Sequence, residues 1–326
     1  MSDFIAERMW PEALVERSIF GTDDPERIWE QVLEACPEAV DCFAFEVSVG
    51  ALFGLRLRDG SRVALKIHRE EDISSLEAVQ HVQAHLVERR FPCPQPLGVR
   101  GSATLERWFD DGIYRDAHEP AVRRVLARYL AWLCSLTRRL QPLAGLEPFF
   151  PSPDGPLWPV PHNVLFDFEA TASGAEWIDE IAREAKPLRD AGVGELVIGH
   201  GDWTVKHVRF AGLRPTVIYD WDSLNTDYET VFVGNSAASF TYTEHLPVHV
   251  WPTASEACAF LADYQRERQR PFTPDERRAV GAAAVYSRAY SARCTHAVGK
   301  DARAVRLDEY AETFLHSEPH ERSARI

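Results

Sequence analysis

The sequence predicts an α+β protein built as two lobes, a small antiparallel strand-rich lobe followed by a larger and mostly helical one. Three observations carry this. From residue 42 to 108 the chain runs in short apolar or alternating stretches separated by turn residues, with one helical stretch inserted. Beyond residue 117 the apolar spacing is largely helical. Two short β-branched runs, Val197-Ile-Gly-His-Gly-Asp202 and Val217-Ile-Tyr-Asp-Trp-Asp222, break that helical region and each ends in carboxylates. A length of 326 residues, 45% of them hydrophobic, is enough for two lobes with cores of their own.

The elements follow in order. The first 40 residues read as helical; Pro25–Ala35 sets Ile28, Val32 and Leu33 on one face, with Asp24 as N-cap. Cys42–Val49 and Ala51–Arg58 read as strands, Asp59-Gly60-Ser61 as a hairpin turn, and Arg62–Ile67 as the returning strand. Leu76, Val79, Val82 and Leu86 predict a helix over 73–90, ended by Phe91-Pro-Cys-Pro-Gln-Pro96. Leu97–Arg100 and Ala103–Trp108 are two more strands, and Asp110-Asp-Gly112 is a turn. The lobes are therefore expected at 1–108 and 113–326, joined through 109–112. In the second, helices are expected over 121–140, 175–191, 255–269, 274–298 and 303–317. An irregular Pro-rich connection covers 142–161, and the end from 318 to 326 is expected to fray.

Composition removes several function classes. Lys and Arg number 36 against 50 Asp and Glu, a net charge of −14, which is the opposite of the basic footprint of a nucleic-acid binder. The acidity would suit a cationic small substrate, although dispersed acidity also serves solubility. The six cysteines form no Cys-x-x-Cys pair and match no zinc module, as expected of reduced thiols in the cytoplasm. No signal-peptide core opens the chain and no apolar run would span a bilayer. Neither a membrane nor a nucleic-acid partner is expected, and oligomeric state is not legible.

An Asp after a strand is often only a turn residue, because its side chain bonds nearby backbone amides. Here two such segments occur in order, separated by Arg209-Phe-Ala-Gly-Leu-Arg-Pro-Thr216, which reads as a hairpin that would set them side by side. Converging strand-end carboxylates can hold a cation and orient a hydroxyl, as phosphoryl transfer requires.

His200-Gly-Asp202-x-x-x-x-His207 followed by Ile218-Tyr-Asp220-Trp-Asp222 resembles the aminoglycoside phosphotransferase family, a branch of the protein-kinase-like fold. The likeness runs from about Val47 to Asn225. It implies a small-molecule kinase, with the resistance enzymes among its relatives, that transfers the ATP γ-phosphate to the hydroxyl of a small acceptor. The implied cofactors are ATP and Mg²⁺, with Mn²⁺ as a second choice of metal. Asp202 would be the catalytic base, His200 would shape its loop, and Asp220 would hold the metal. His207 stands where the family has Asn. Imidazole suits Mn²⁺ or Zn²⁺ better than Mg²⁺, so three roles stay open: metal ligand, hydrogen-bond partner of Asp202, or mark of a catalytically impaired nucleotide-binding pseudokinase. Lys206 would suit the developing phosphoryl charge, but neighbouring side chains on an extended segment point apart.

The resemblance also implies a nucleotide site in the first lobe. Lys66, in Val63-Ala-Leu-Lys-Ile67, matches the phosphate-binding strand lysine. A lysine in a buried strand needs a partner; Glu77 is the choice, with Glu70, Glu71 and Glu88 as alternatives. Gly50 and Gly54 would cover the phosphates from a hairpin, departing from the kinase glycine pattern. Glu106 and Trp108 fall on the segment whose backbone would meet adenine. The pairs His81/His85 and His245/His249 lack a full ligand set and are read as incidental. The acceptor is expected near Asp227, Glu229 and the helix from Pro274.

Overall fold

The computed structural model describes residues 1–10, 13–69, 73–140, 143–148, 154–268 and 270–317. Glu70, Glu71 and the segment 318–326 lie outside them. The chain falls into two compact units, one of residues 1–110 with 162–166, the other of 111–161 with 167–326.

The first unit opens with helices α1 (Ser2–Ala6), α2 (Leu14–Phe20) and α3 (Pro25–Ala35). Asp24 caps α3 as expected, its carboxylate accepting the Glu26 N–H at 3.0 Å. Strands β1 (Ala39–Val47), β2 (Ala51–Leu57), β3 (Arg62–Ile67), β4 (Pro96–Arg100) and β5 (Ala103–Arg107) form one antiparallel sheet in the order β1-β2-β3-β5-β4. Helix α4 (Ile73–Glu88) is inserted after β3 and packs on β4 and β5.

Pleating gives the sheet two faces with different jobs. Phe53, Leu55, Val63, Leu65, Ala103 and Leu105 pack in one core with Ile5, Phe20, Ile28 and Val32 of the leading helices. Each such aliphatic or aromatic side chain contributes about 1.5–3 kcal/mol on burial. The alternate residues, Leu52, Gly54, Ala64, Lys66, Thr104 and Glu106, therefore share the other face. Lys66 is paired across the ladders with Leu52 and Thr104, and Ala64 with Glu106.

The second unit comprises α5 (Pro120–Thr137), α6 (Glu176–Arg189), β6 (Leu196–His200), β7 (Val208–Ala211), β8 (Arg214–Ile218), β9 (Leu224–Tyr228), α7 (Glu229–Ser239), α8 (Ala254–Glu267), α9 (Pro274–Ala297) and α10 (Leu307–Ala311). Capping boxes begin α8 and α9, in which Thr253 and Thr273 bond Glu256 and Glu276 reciprocally. α7 is buried nearly all round and crosses α9 closely, with Gly234 against the Val280 carbonyl and Ala283.

Three expectations need correction. The two strands leading into the carboxylates are not neighbours: β6 pairs with β9, while the hairpin is β7–β8, formed by the link itself. That hairpin still brings their ends together, since the Tyr219 N–H donates to the His207 carbonyl at 2.9 Å. α7 had no sequence prediction. The single helix expected over 303–317 is broken by Arg306, whose φ of 63° leaves the helical region, and a π-helical turn over Glu312–His316 ends the segment. Among the described residues no helix is long and apolar enough to cross a membrane.

Candidate active site

The site is assembled on the two loops that follow β6 and β8. His200, 1% exposed, closes β6. Its Nε2 lies 2.9 Å from the Tyr219 carbonyl, so Nε2 carries the proton and Nδ1 is left as an acceptor for the Asp202 N–H at 3.3 Å. Ser223 Oγ sits 2.9 Å from that Nδ1 and 2.8 Å from the Asp220 carbonyl, with one proton to serve either. His200 thus ties both loops to one imidazole. Burial, then the neighbouring His207, lowers its pKa to about 4. A neutral ring with both nitrogens occupied is a positioning group, not a proton carrier.

Gly201 gives the turn its tightness. Its N–H donates to the Ser223 carbonyl at 2.8 Å, and a Cβ there would meet that carbonyl oxygen and the Asn225 amide at 2.9 Å. Gly199 likewise leaves room only for the Phe232 ring.

The chain then makes a 3₁₀ turn over Val205–His207. The Val205 and Lys206 N–H groups donate to the carbonyls of Phe240 and Tyr242 at 3.0 and 3.1 Å. This turn defeats the expectation that Lys206 and His207 point apart. His207 Nε2 lies 2.9 Å and Lys206 Nζ 3.0 Å from the same atom, Asp202 Oδ2. His207 Nε2 is also 3.4 Å from Asp220 Oδ2. Asp220 holds a left-handed backbone, φ 66° and ψ 45°, uncommon for a residue with a side chain. Trp221 is core at 1% exposure, as expected.

Asp202, His207 and Asp220 each offer a ligand atom within 4.8 Å of the others, and among the described residues this is the one such group. Two carboxylate oxygens and an imidazole nitrogen fit a divalent cation. The nitrogen favours Mn²⁺ over the oxygen-demanding Mg²⁺. Burial would raise the Asp202 pKa, but the His207 and Lys206 charges and the His207 hydrogen bond outweigh it and hold the carboxyl well below its ordinary range. Burial also works against the Lys206 ammonium, while Asp202 and Asp220 more than offset it and raise the pKa. Lys206 further lies 5.1 Å from the Tyr242 ring centroid, and the Tyr242 hydroxyl donates to Glu244 at 2.8 Å.

The first unit's candidates divide. Lys66 shares its sheet face with Thr104 and Glu106, and its Cε lies 3.6 Å from where a Gly50 Cβ would stand; that Cβ would also press on the Ile67 carbonyl at 2.8 Å. Gly50 is therefore required by the close approach of the β1–β2 turn to β3 beside Lys66. Gly54 is mid-strand, where a Cβ would strike the Phe43 ring, so packing explains it and not a phosphate. Glu77 is a correction: it falls on the exposed stripe of α4 with Ser74, His81 and Glu88. The face of α4 turned to the sheet carries Gln80 and Gln83 instead, and Gln83 donates to the Glu106 carboxylate at 2.5 Å. Trp108 stacks edge-on against Phe43 at 4.9 Å with Arg62 over both rings.

The expected acceptor region is corrected in part. Glu229 is 1% exposed, bound by Arg268 through two nitrogens at 2.8 Å and by the Tyr264 hydroxyl at 2.6 Å. Glu276 is taken by Arg268, Arg270 and its own cap. Both are structural. The His81/His85 and His245/His249 pairs join no metal group among the described residues; His245 stacks on Tyr114 at 3.8 Å.

Sequence reasoning weighed Lys206 for the phosphoryl charge but set it aside on the expectation of an extended segment, and gave no role to Ser223, Asn225 or Tyr242. The turn at 205–207, which depends on residues 240–242, was the missing signal.

No protein-family model matches the chain, and no curated sequence matches it significantly. Solved structures do. An amicoumacin kinase in complex with AMP-PNP, Ca²⁺ and Ami superposes with a TM-score of 0.65 at 11% identity, over 92% of this chain and 97% of that one. An ethanolamine kinase of Plasmodium vivax gives 0.55 at 9% identity, over 91% and 88%. A choline kinase of Cryptosporidium parvum gives 0.55 at 13%, over 89% and 95%. The class is therefore set: this chain has the kinase-like fold of the aminoglycoside phosphotransferases. The solved structures it resembles thus include an amicoumacin kinase, an ethanolamine kinase and a choline kinase.

Proposed function

We propose that this protein is a small-molecule phosphotransferase that moves the ATP γ-phosphoryl group to a hydroxyl of a small, cationic acceptor. The observation that carries the reading is the convergence of Asp202, His207 and Asp220 within 4.8 Å on loops after β6 and β8. Asp202 orients the acceptor hydroxyl and takes its proton. Its low pKa keeps it ionised at neutral pH, so it is a modest base and mainly an aligning group. Asp220 and His207 hold a divalent metal, which when bound neutralises phosphate charge. Lys66 keeps the role of cation for the phosphate tail, and Gly50 lets the turn backbone lie close to it. The amicoumacin kinase structure, which contains AMP-PNP and Ca²⁺, supports nucleotide and divalent-metal use.

The test is phosphate transfer from ATP with Mn²⁺ or Mg²⁺ to a panel of amino-bearing alcohols, from choline and ethanolamine to aminoglycosides and amicoumacin-type antibiotics. Transfer lowered at least about 1,000-fold in Asp202→Ala is expected, in line with losing an aligned base and its orientation. An Asp202→Ala protein as active as the parent would defeat the assignment. Nucleotide binding without turnover on any acceptor would favour the pseudokinase alternative.

A further inference from the structure

We propose that Lys206 is a catalytic cation, donating to an equatorial oxygen of the transferring phosphoryl group beside the Asp202 carboxylate. This rests on the phosphotransferase reading above.

Two consecutive side chains converge on one carboxylate oxygen because 205–207 is wound as a 3₁₀ turn pinned to Phe240 and Tyr242. Lys206 Nζ donates to Asp202 Oδ2 at 3.0 Å, and His207 Nε2 lies 2.9 Å from the same oxygen. Among the described residues Oδ1 has no protein partner, which leaves it as the atom for an acceptor hydroxyl. The Lys206 ammonium has three N–H bonds. One is used on Oδ2, and among the described residues no second acceptor meets the other two. Among its neighbours is the Tyr242 ring, a face that stabilises the cation without consuming a proton. At 28% exposure the ammonium is open to a substrate.

Distances then place the phosphorus. A hydroxyl bonded to Oδ1 lies roughly 2.7 Å from it, and its oxygen attacks phosphorus from about 3–3.5 Å. The phosphoryl oxygens therefore pass within reach of a flexible ammonium that already touches the same carboxylate. As the acceptor oxygen–phosphorus bond forms, the bond from phosphorus to the bridging oxygen breaks and its electron pair leaves with ADP. The hydroxyl proton goes to Asp202 Oδ1. Lys206 meets the charge spread over the equatorial oxygens, as a positioned donor does in phosphoryl transfer.

The experiment compares the parent with Lys206→Met and Lys206→Arg. Binding of ADP with Mn²⁺ is titrated with and without aluminium fluoride, the planar mimic of the transferring group, and turnover is measured on any acceptor found. The parent is expected to bind ADP at least tenfold more tightly with the fluoride. Lys206→Met should lose that gain while binding ADP itself within threefold of the parent and melting at the same temperature; Lys206→Arg should keep part of it. In turnover, Lys206→Met should lower kcat about 100- to 1,000-fold with acceptor KM within threefold. A methionine variant that keeps the fluoride gain overturns the role of Lys206 alone, as does a parent that binds ADP and gains nothing. A parent that binds no Mn²⁺–ADP overturns the phosphotransferase reading and this inference with it.

Discussion

Asp227→Asn should make the protein more stable at alkaline pH and leave it unchanged in acid. Asp227 lies on β9 opposite Val197 of β6, and its carboxylate accepts the Tyr228 N–H at 2.7 Å. Burial raises its pKa from 3.8 to about 6, against the lowering influence of that hydrogen bond and of Arg189, with Asp190 adding to the rise. The folded state therefore binds this proton more tightly than the unfolded chain, where the carboxyl titrates near its ordinary value. Stability from the group is fully present below the unfolded pKa of about 4. It is lost as pH climbs through about 6. About two pKa units at 1.36 kcal/mol each give about 3 kcal/mol at pH 8, and partial solvent screening trims this toward 2 kcal/mol. The amide oxygen of asparagine can still accept from Tyr228, so the variant avoids ionisation without losing the bond. Melting curves of parent and variant at pH 4.0 and 8.0 measure the effect. A rise of roughly 4 °C at pH 8, at about 2 °C per kcal/mol for a chain of this size, should vanish at pH 4. An equal difference at both pH values, or a less stable variant at pH 8, refutes the reasoning.

Three further outcomes follow from other parts of the second unit. His207→Asn replaces the imidazole by an oxygen ligand, so the ratio of activity with Mn²⁺ to activity with Mg²⁺ should fall about tenfold; an unchanged ratio would remove His207 from the metal. Glu229→Gln strips the bidentate partner from Arg268, which is itself buried, and should cost about 3–5 kcal/mol in a denaturant titration; a loss below about 1 kcal/mol would count against that network. His118 bonds Glu256 through Nδ1 at 2.5 Å and the His249 carbonyl through Nε2 at 2.8 Å, which needs both nitrogens protonated. Burial opposes the charge, but Glu256 and the carbonyl prevail and its pKa is raised. Its stabilisation is thus complete below about 6.5 and lost as pH rises through the folded pKa. His118→Gln should flatten the stability profile on the alkaline side of 6.5, and a profile identical to the parent's would rule the clamp out.

What could be read from the chain was what local chemistry specifies. α3 was visible because its buried side is one stripe with a capping Asp24 before it, and the β2–β3 turn because Asp59-Gly60-Ser61 can form only a tight one, Gly60 taking φ 84°. The carboxylates were visible because strand ends announce themselves by a change from β-branched to polar residues. α7 was not, because a helix buried on all sides has no stripe, and its Thr230, Val231 and Val233 are β-branched residues that favour extended backbone. The partner of β6 was hidden for a related reason. Pairing with β9 depends on where the hairpin between them folds back, which no residue of β6 encodes. Glu77 failed by a quarter turn of α4: spacing from the Pro-rich segment placed a glutamate near the strand lysine, while packing of Leu76, Val79, Gln80 and Gln83 rotated it to solvent.

The turn at 205–207 joins these points. Thr204 and Val205 are β-branched and favour extended backbone, and an extended chain would send Lys206 and His207 to opposite sides. What winds the turn is external to it. Trp203, 2% exposed, anchors its indole N–H on the Leu126 carbonyl at 3.2 Å. The next backbone donors are claimed by Phe240 and Tyr242, directly after α7. α7 in turn is fixed by its close crossing with α9 at Gly234. The position of Lys206 and His207 at Asp202 is thus set by a helix crossing that contains no site residue. Substituting Gly234 by a bulky residue should therefore weaken the site through Lys206 and His207 together, whereas changes within the loop would remove them one at a time.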